Sequence, residues 1–197
     1  MKTRNEIALP TDIFQTRMSM ELPLDLETSD VFALRSLKRK DSSALRALLT
    51  KYESPLIGYL TSLTHDRGLA EDLVQETFLR LIRRPPLRAA KGSLKPWLFK
   101  VARNLALDHQ RKQSRIELRS ELPEPHPDDP TKLDAGDTKY LLQCLTPEMK
   151  QIVALRIFGD FTFKEISKQL GLPLGTVLWR MSNAVKIMRE TLEAEEK

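Results

Sequence analysis

The sequence predicts an all-α fold: two small helical domains joined by an acidic, proline-rich linker, the second domain containing a helix-turn-helix. Three observations carry this. Apolar residues recur at three- and four-residue steps through most of the chain, and no alternating run is long enough to make a strand. Residues 116–137 hold seven acids against two cations, a net charge of −5, together with Pro123, Pro125, Pro127 and Pro130. Such a segment cannot be regular throughout and reads as an extended, self-repelling linker. Residues 159–183 then hold two short helical patterns around a glycine-containing turn.

Composition sets outer bounds. A chain of 197 residues holds one ordinary domain or two small ones, and 41% apolar with 30% charged residues is normal for a soluble globular protein. No run of 18 apolar residues exists, so membrane insertion is not expected. Near the N-terminus Ile7-Ala-Leu9 is broken at once by Pro10 and Asp12, so no secretory signal is expected and the location reads as cytoplasmic. The single cysteine, Cys144, excludes an internal disulfide, fits a reducing compartment and reads as a small buried apolar residue. The net charge of +5 suits a polyanionic partner.

The elements follow in order. Residues 1–28 hold no sustained period and read as a loosely ordered extension rather than a docking segment. A first helical domain spans 29–115. Asp41 is a candidate N-cap for a run through Leu45, Leu48, Leu49 and Tyr52, and Pro55 is expected to open a further run through Leu56, Tyr59, Leu60 and Leu63. Between Asp66 and Arg84 the inward stripe is Ala70, Leu73, Val74, Thr77, Phe78 and Leu81. Pro85 and Pro86 stop that helix, and a loop follows to Gly92. Ser93 and Pro96 start the next helix, roughly Lys95–Gln113, which packs through Trp97, Leu98, Val101, Ala102 and Leu105. Its other side displays Lys100, Arg103, Asn104, Asp108 and Arg111.

The linker takes residues 116–138, and the second domain takes 139–193. Thr146-Pro147-Glu148 is a cap, a first-turn proline and a first-turn acid, and Ile152, Val153 and Leu155 carry the helix toward Gly159. Thr162 and Glu165 have capping-box spacing, Ile166 and Leu170 share a face, and Gly171 is a left-handed stop. Past Pro173 a second run begins near Thr176, with Val177, Met181, Ala184, Val185 and Met188 inward. Thr176, Trp179, Arg180, Asn183 and Lys186 are then left largely outward.

Enzyme chemistry finds little support. His65, His109 and His126 are far apart, with no neighbour at metal-ligand spacing, and the seven glycines form neither a dinucleotide fingerprint nor a P-loop. No metal or cofactor is expected. Charge points elsewhere. Residues 80–115 carry eleven cations against Asp108 alone, a net of +10, twice that of the whole chain. A block of that density is the electrostatic footprint of a nucleic-acid binder. Arg180 and Asn183 have the side chains that pair bidentately with guanine and adenine in a major groove. Trp97 is either core or an aromatic placed to stack on an exposed base, and Trp179 either packs between helices or touches sugar or a thymine methyl.

Three stretches in this order resemble the bacterial sigma-70 superfamily: Ala70-Glu-Asp-Leu-Val-Gln-Glu-Thr-Phe-Leu-Arg80, Trp97-Leu-Phe-Lys-Val-Ala-Arg-Asn-Leu-Ala-Leu-Asp108, and Leu145-Thr-Pro-Glu with Gly175-Thr-Val-Leu-Trp-Arg180. The two-domain layout is similar to the extracytoplasmic-function (ECF) group. The resemblance implies a dissociable RNA polymerase subunit that confers promoter recognition and strand opening. It implies that Asp72, Gln75 and Glu76 dock on core polymerase. It implies that Arg84, Arg88, Lys91, Lys95, Trp97, Lys100, Arg103, Asn104 and Arg111 engage the −10 element and its melted non-template strand, whose flipped bases must regain their lost stacking in pockets. Thr176, Trp179, Arg180, Asn183 and Lys186 would read the −35 duplex, and an anti-sigma factor is a further candidate partner. The linker would thread toward the active centre, along a route otherwise taken by RNA. Family members commonly have a basic residue at the place of Leu178 and a small polar one at Trp179, so this duplex-reading face is less basic than the family's. The competing reading is a stand-alone helix-turn-helix regulator with an N-terminal helical sensor domain.

Overall fold

The computed structural model describes residues 30, 33–37, 42–86, 93–117 and 141–195. The N-terminal extension, Asp41, most of the loop after Pro86 and nearly all of the acidic linker lie outside the described residues, as do Arg88 and Lys91. Among the described residues all regular structure is helical. The first unit holds α1 (Ser42–Thr64), α2 (Arg67–Arg83) and α3 (Lys95–Glu117), each packed on the other two, with a helical stretch at 33–37 adding Ala33 and Leu34 to the core. The second unit is α4 (Pro147–Ile157), α5 (Phe163–Leu170) and α6 (Leu174–Glu195), preceded by a helical turn over 141–143.

The expected break at Pro55 is absent. Pro55 lies inside one continuous 23-residue helix, α1, flanked by buried Tyr52 and Leu56. An internal proline forfeits one backbone hydrogen bond and costs roughly 3 kcal/mol. Here Leu48, Tyr52, Leu56, Tyr59 and Leu60 are all buried along one face, and full burial of each gains about 1.5–3 kcal/mol. Packing on both sides of the proline therefore outweighs it. Two helix limits also move outward: α3 runs on to Glu117 and α6 starts at Leu174, directly after Pro173.

The stripe on α2 is as expected, with Ala70, Leu73, Val74, Thr77, Phe78 and Leu81 all buried. Asp66 caps it by accepting from the Leu69 N–H at 3.0 Å. Between α1 and α2 the chain reverses in two residues, with His65 in the left-handed region at φ 61°.

The start of α3 is held by a residue far from it in sequence, Asp30. Asp30 is wholly buried, and its carboxylate accepts from the Tyr52 hydroxyl at 2.5 Å and the Leu94 N–H at 2.9 Å. Lys51 Nζ completes an ion pair at 2.7 Å. Nearer the helix itself, Ser93 Oγ accepts from the Lys95 N–H at 3.2 Å. Burial, and then the adjoining carboxylate, push the Tyr52 phenol far above its ordinary pKa. A carboxylate is tolerated at this depth because hydrogen bonds and a cation satisfy it.

The two units do not hang apart on their linker. α1 packs on α4, and one continuous core runs through both units. Phe99 of α3 lies between Tyr59 (centroids 5.1 Å apart) and Phe161 (5.2 Å apart, edge to face), and Phe99 and Phe161 are fully buried. Beside this column the Phe158 ring covers Gly58 so closely that a Cβ there would lie 2.5 Å from a ring carbon. Polar contacts rim the joint: Gln169 Nε2 donates to the Pro96 carbonyl at 2.9 Å, and Lys95 Nζ donates to the Asp160 carbonyl at 3.0 Å.

Two tests follow. Asp30→Ala leaves the Tyr52 hydroxyl and the Leu94 N–H without their buried acceptor, and should cost about 3 kcal/mol in denaturant unfolding; a loss below ~0.5 kcal/mol would show that water replaces the carboxylate. Gly58→Val drives a branched side chain into the Phe158 ring, an overpacking cost of about 1–3 kcal/mol. The joint should loosen while each unit keeps its helices. The expected result is a larger radius of gyration by small-angle scattering with unchanged far-UV circular dichroism; unchanged scattering would refute it.

Candidate nucleic-acid interface

On α3 the helical repeat separates two faces. Leu98, Phe99, Ala102, Leu105 and Ala106 are buried, whereas Lys100, Asn104, Asp108, Arg111 and Arg115 follow one another at three- and four-residue steps on the exposed side. Asp108 is the sole acid of that stripe and lies 3.5 Å from Arg111, an exposed pair of little net strength. Arg84 is exposed at the end of α2, where its N–H bonds the Arg80 carbonyl. The stripe is a solvated cationic ridge, suited to a phosphate backbone.

Three of the expected residues on this helix are not freely displayed. Lys95 is half-buried against the second unit, its ammonium 4.7 Å from the centre of the Phe161 ring. Burial lowers its pKa, with Glu165 and Asp160 partly offsetting the effect. Arg103, expected on the outward side, is half-buried and lines the cleft between the units with Leu63, His65, Gln110, Lys150 and Gln151. The reason is that α4, packed on α1, brings Lys150 and Gln151 to the far wall of the same cleft, a neighbour that α3 alone does not announce. Across the cleft the Lys150 ammonium donates to His65 Nε2 at 3.1 Å, and burial lowers the lysine pKa. Trp97 is half-buried and packed against the core, and the rest of the residue stays accessible.

The helix-turn-helix is built as its sequence dictates. Thr162 and Glu165 make a complete capping box, Glu165 accepting from the Thr162 N–H at 2.7 Å. Gly171 closes α5 in the left-handed conformation at φ 68°, which a side chain would strain. The turn is pinned by Ser167, whose hydroxyl donates to the Leu172 carbonyl at 2.6 Å and whose carbonyl accepts from the Leu172 N–H at 3.1 Å. On α6 Val177, Met181 and Ala184 are buried, Thr176, Arg180 and Asn183 are half-buried, and Lys186 is exposed, 3.7 Å from Glu190. Trp179 is 61% exposed, which settles its double reading against inter-helix packing.

A different chemistry marks α2. Asp72 and Gln75 are exposed, and Glu76 is paired with Arg80 at 3.0 Å. Leu79 and Ile82, 43% and 48% exposed, continue the same side of the helix. They were not among the expected site residues, although their places off the inward stripe already put them in solvent.

Among the described residues no three His, Cys, Asp or Glu side chains gather as a metal site. Cys144 is exposed rather than buried, because it falls at the end of the short turn leading into α4, where Leu142 and Leu145 take the inward positions. No helix among the described residues is long and apolar enough to cross a membrane.

Comparison with known proteins agrees with this geometry. Residues 48–116 match the family model for Sigma-70 region 2, and residues 141–190 match that for Sigma-70 region 4. Similar proteins include the ECF RNA polymerase sigma factor SigL of Mycobacterium tuberculosis, 29% identical over 161 residues that cover 78% of this chain and 91% of the relative. The ECF RNA polymerase sigma factor SigK of Mycobacterium bovis is 28% identical over 178 residues, covering 84% of this chain and 95% of the relative. Among solved structures the chain is similar to the sigma factor RpoE in complex with the anti-sigma factor NepR from Bartonella quintana, with a TM-score of 0.62 and 26% identity over 75% of this chain and 96% of that one. The fold is also shared by CnrH, solved in complex with the cytosolic domain of CnrY, at a TM-score of 0.63 and 20% identity, covering 84% of this chain and 98% of that one. Regions 2 and 4 matched in order do not favour a stand-alone regulator with a sensor domain. With both DNA-facing units in the family's order, the chain belongs to the sigma-70 superfamily of RNA polymerase sigma factors, in its ECF group.

Proposed function

We propose that the chain acts as a cytoplasmic initiation factor with no reaction of its own, docking on core polymerase through α2 and reading a promoter at two places. The observation that carries this reading is the pairing, in one chain, of the exposed cationic stripe on α3 with the outward face of α6. Lys100, Asn104 and Arg111 follow the backbone at the −10 element, Arg84 with the following loop residues Arg88 and Lys91 flanks it, and the accessible part of Trp97 borders the bases that leave the stack. Thr176, Trp179, Arg180, Asn183 and Lys186 face the −35 duplex. The acidic segment 116–138 connects domains 29–115 and 139–193, with residues 1–28 as an extension outside both.

Lys95 and Arg103 join the −10 surface only when the two units part, since both now face the second unit. Closure and DNA binding therefore compete for the same side chains. An anti-sigma partner that held the units together would keep the protein off DNA; the similarity to RpoE, solved with NepR, supports such a partner.

On α2, Asp72, Gln75 and Glu76 supply polar contacts to core polymerase, and Leu79 with Ile82 supply apolar area. Reversing charge with Asp72→Arg and Glu76→Arg should weaken core association by about tenfold or more, since like charges across an interface are costly. Stability should hold, because the Glu76–Arg80 pair is a surface i,i+4 pair contributing roughly 0.3–0.5 kcal/mol. Undiminished affinity would remove α2 from the docking surface. The function as a whole is tested by run-off transcription with core polymerase on a promoter library. Initiation from a defined subset of promoters, only when the protein is added, is expected; no initiation together with no core binding refutes the reading.

A further inference from the structure

The helix that follows the turn presents an apolar surface. Leu174, Leu178 and Trp179 are 36%, 45% and 61% exposed, and none belongs to the core or packs against it among the described residues. Leu174 and Leu178 are one turn apart and so share a side of α6, with Trp179 beside them. Large exposed apolar groups lying together at a binding surface mark what that surface touches.

The charge around them selects the occupant. From Leu174 to Arg189 the helix carries Arg180, Lys186 and Arg189 and no acid, so its first turns can approach a polyanion without repulsion. An apolar side chain that enters a major groove meets hydrogen-bonding edges everywhere except at one group, the 5-methyl of thymine. We propose that Leu178 and Trp179 read thymine methyls in the upstream duplex element, so that the preferred element carries thymines at fixed positions opposite these two side chains. Arg180 and Asn183, which carry the hydrogen-bonding heads, then discriminate neighbouring purines. This rests on the assignment of α6 to the −35 duplex and deepens it, because it names the chemical group that is read.

The two side chains are suited to the task in different ways. Leu178 has a compact branched end that closes around a methyl group. Trp179 offers a broad, rigid face at small entropic cost, and burying part of it against methyls and sugar displaces water that would otherwise border an exposed indole. Both lie on the outer side of a helix whose inner side is fixed by Val177 and Met181, so their positions relative to the groove are set by the core.

Thymine and deoxyuridine differ by the methyl alone, which makes the test direct. Holoenzyme formed with the full chain first selects its upstream element from a randomised duplex, and each thymine of the selected element is then replaced singly by deoxyuridine. At one or two positions the replacement should weaken binding about fourfold, the effect of losing one buried methyl-sized group. Leu178→Ala or Trp179→Ala should abolish the difference between thymine and uracil at its own position, and circular dichroism should be unchanged because both residues are exposed. Uracil tolerated at every position by a holoenzyme that still selects its element would overturn the proposal and leave the −35 assignment standing. Selection of no upstream element would remove both. Uracil tolerance combined with weakened core binding by Leu178→Ala would assign the apolar surface to polymerase and overturn the proposal.

Discussion

The contact on which the rest depends is Phe161 seated edge-on against Phe99, with Tyr59 behind it. Each ring comes from a different part of the chain: one from α1, one from α3 and one from the approach to α5. An edge-to-face pair contributes about 0.5–1.5 kcal/mol beyond the area it buries, but its geometric consequence is larger. Once Phe161 is buried there, Asp160 must lie over the start of α3, and the Lys95 ammonium finds both a carbonyl and a ring face. Phe158 must lie on Gly58, where only a hydrogen leaves room. Burial of the column also pushes the Tyr59 phenol up to about 12, so it stays neutral across the physiological range.

That joint divides the cationic surface into two parts. Lys100, Asn104 and Arg111 stand exposed, clear of the joint. The part at the joint is charged at a cost: Lys95 and Lys150 both lose affinity for their protons through burial. A base whose pKa falls on closure holds fewer protons in the closed form, so closure is favoured as pH rises toward the ordinary lysine range and is penalised below it. The folded arrangement thus holds two partly desolvated cations beside the exposed cationic stripe. Desolvation of these cations opposes closure, and the aromatic column is an attraction on its side.

Local order was legible wherever the interaction is short in sequence. Thr162 with Glu165, Thr146 with Pro147, Asp66, Gly171 and the six-residue stripe of α2 all form within one or two turns, and each stands as its spacing implies. The outward placement of Trp179 follows from the inward placement of Val177 and Met181 alone, whereas Arg180 and Asn183 are half-buried. The misreadings have the opposite character. Pro55 looks like a break because its missing N–H is a local property, whereas the packing that overrides it comes from α2, α3 and α4. Asp30 has no local mark at all, since its hydrogen-bond partners lie 22 and 64 residues away. Arg103 flanks the outward side of its own helix and lines a cleft whose other wall belongs to α4.

By itself the sequence determined the helical class, the caps and stops, the separation of the cationic stripe from the core, and the order of motifs that marks the family. These are set by periodicity, by side chains bonding their own backbone, and by charge counted along the chain, none of which needs a distant partner. Only the tertiary structure decided which cations are free. Lys95 and Arg103 read like Lys100 and Arg111, and they differ because the second unit brings Phe161 and Asp160 to Lys95 and α4 to the cleft that Arg103 lines. Burial is a property of the assembled core rather than of any helix, and it divides the basic residues into those that stand in solvent and those held at the joint.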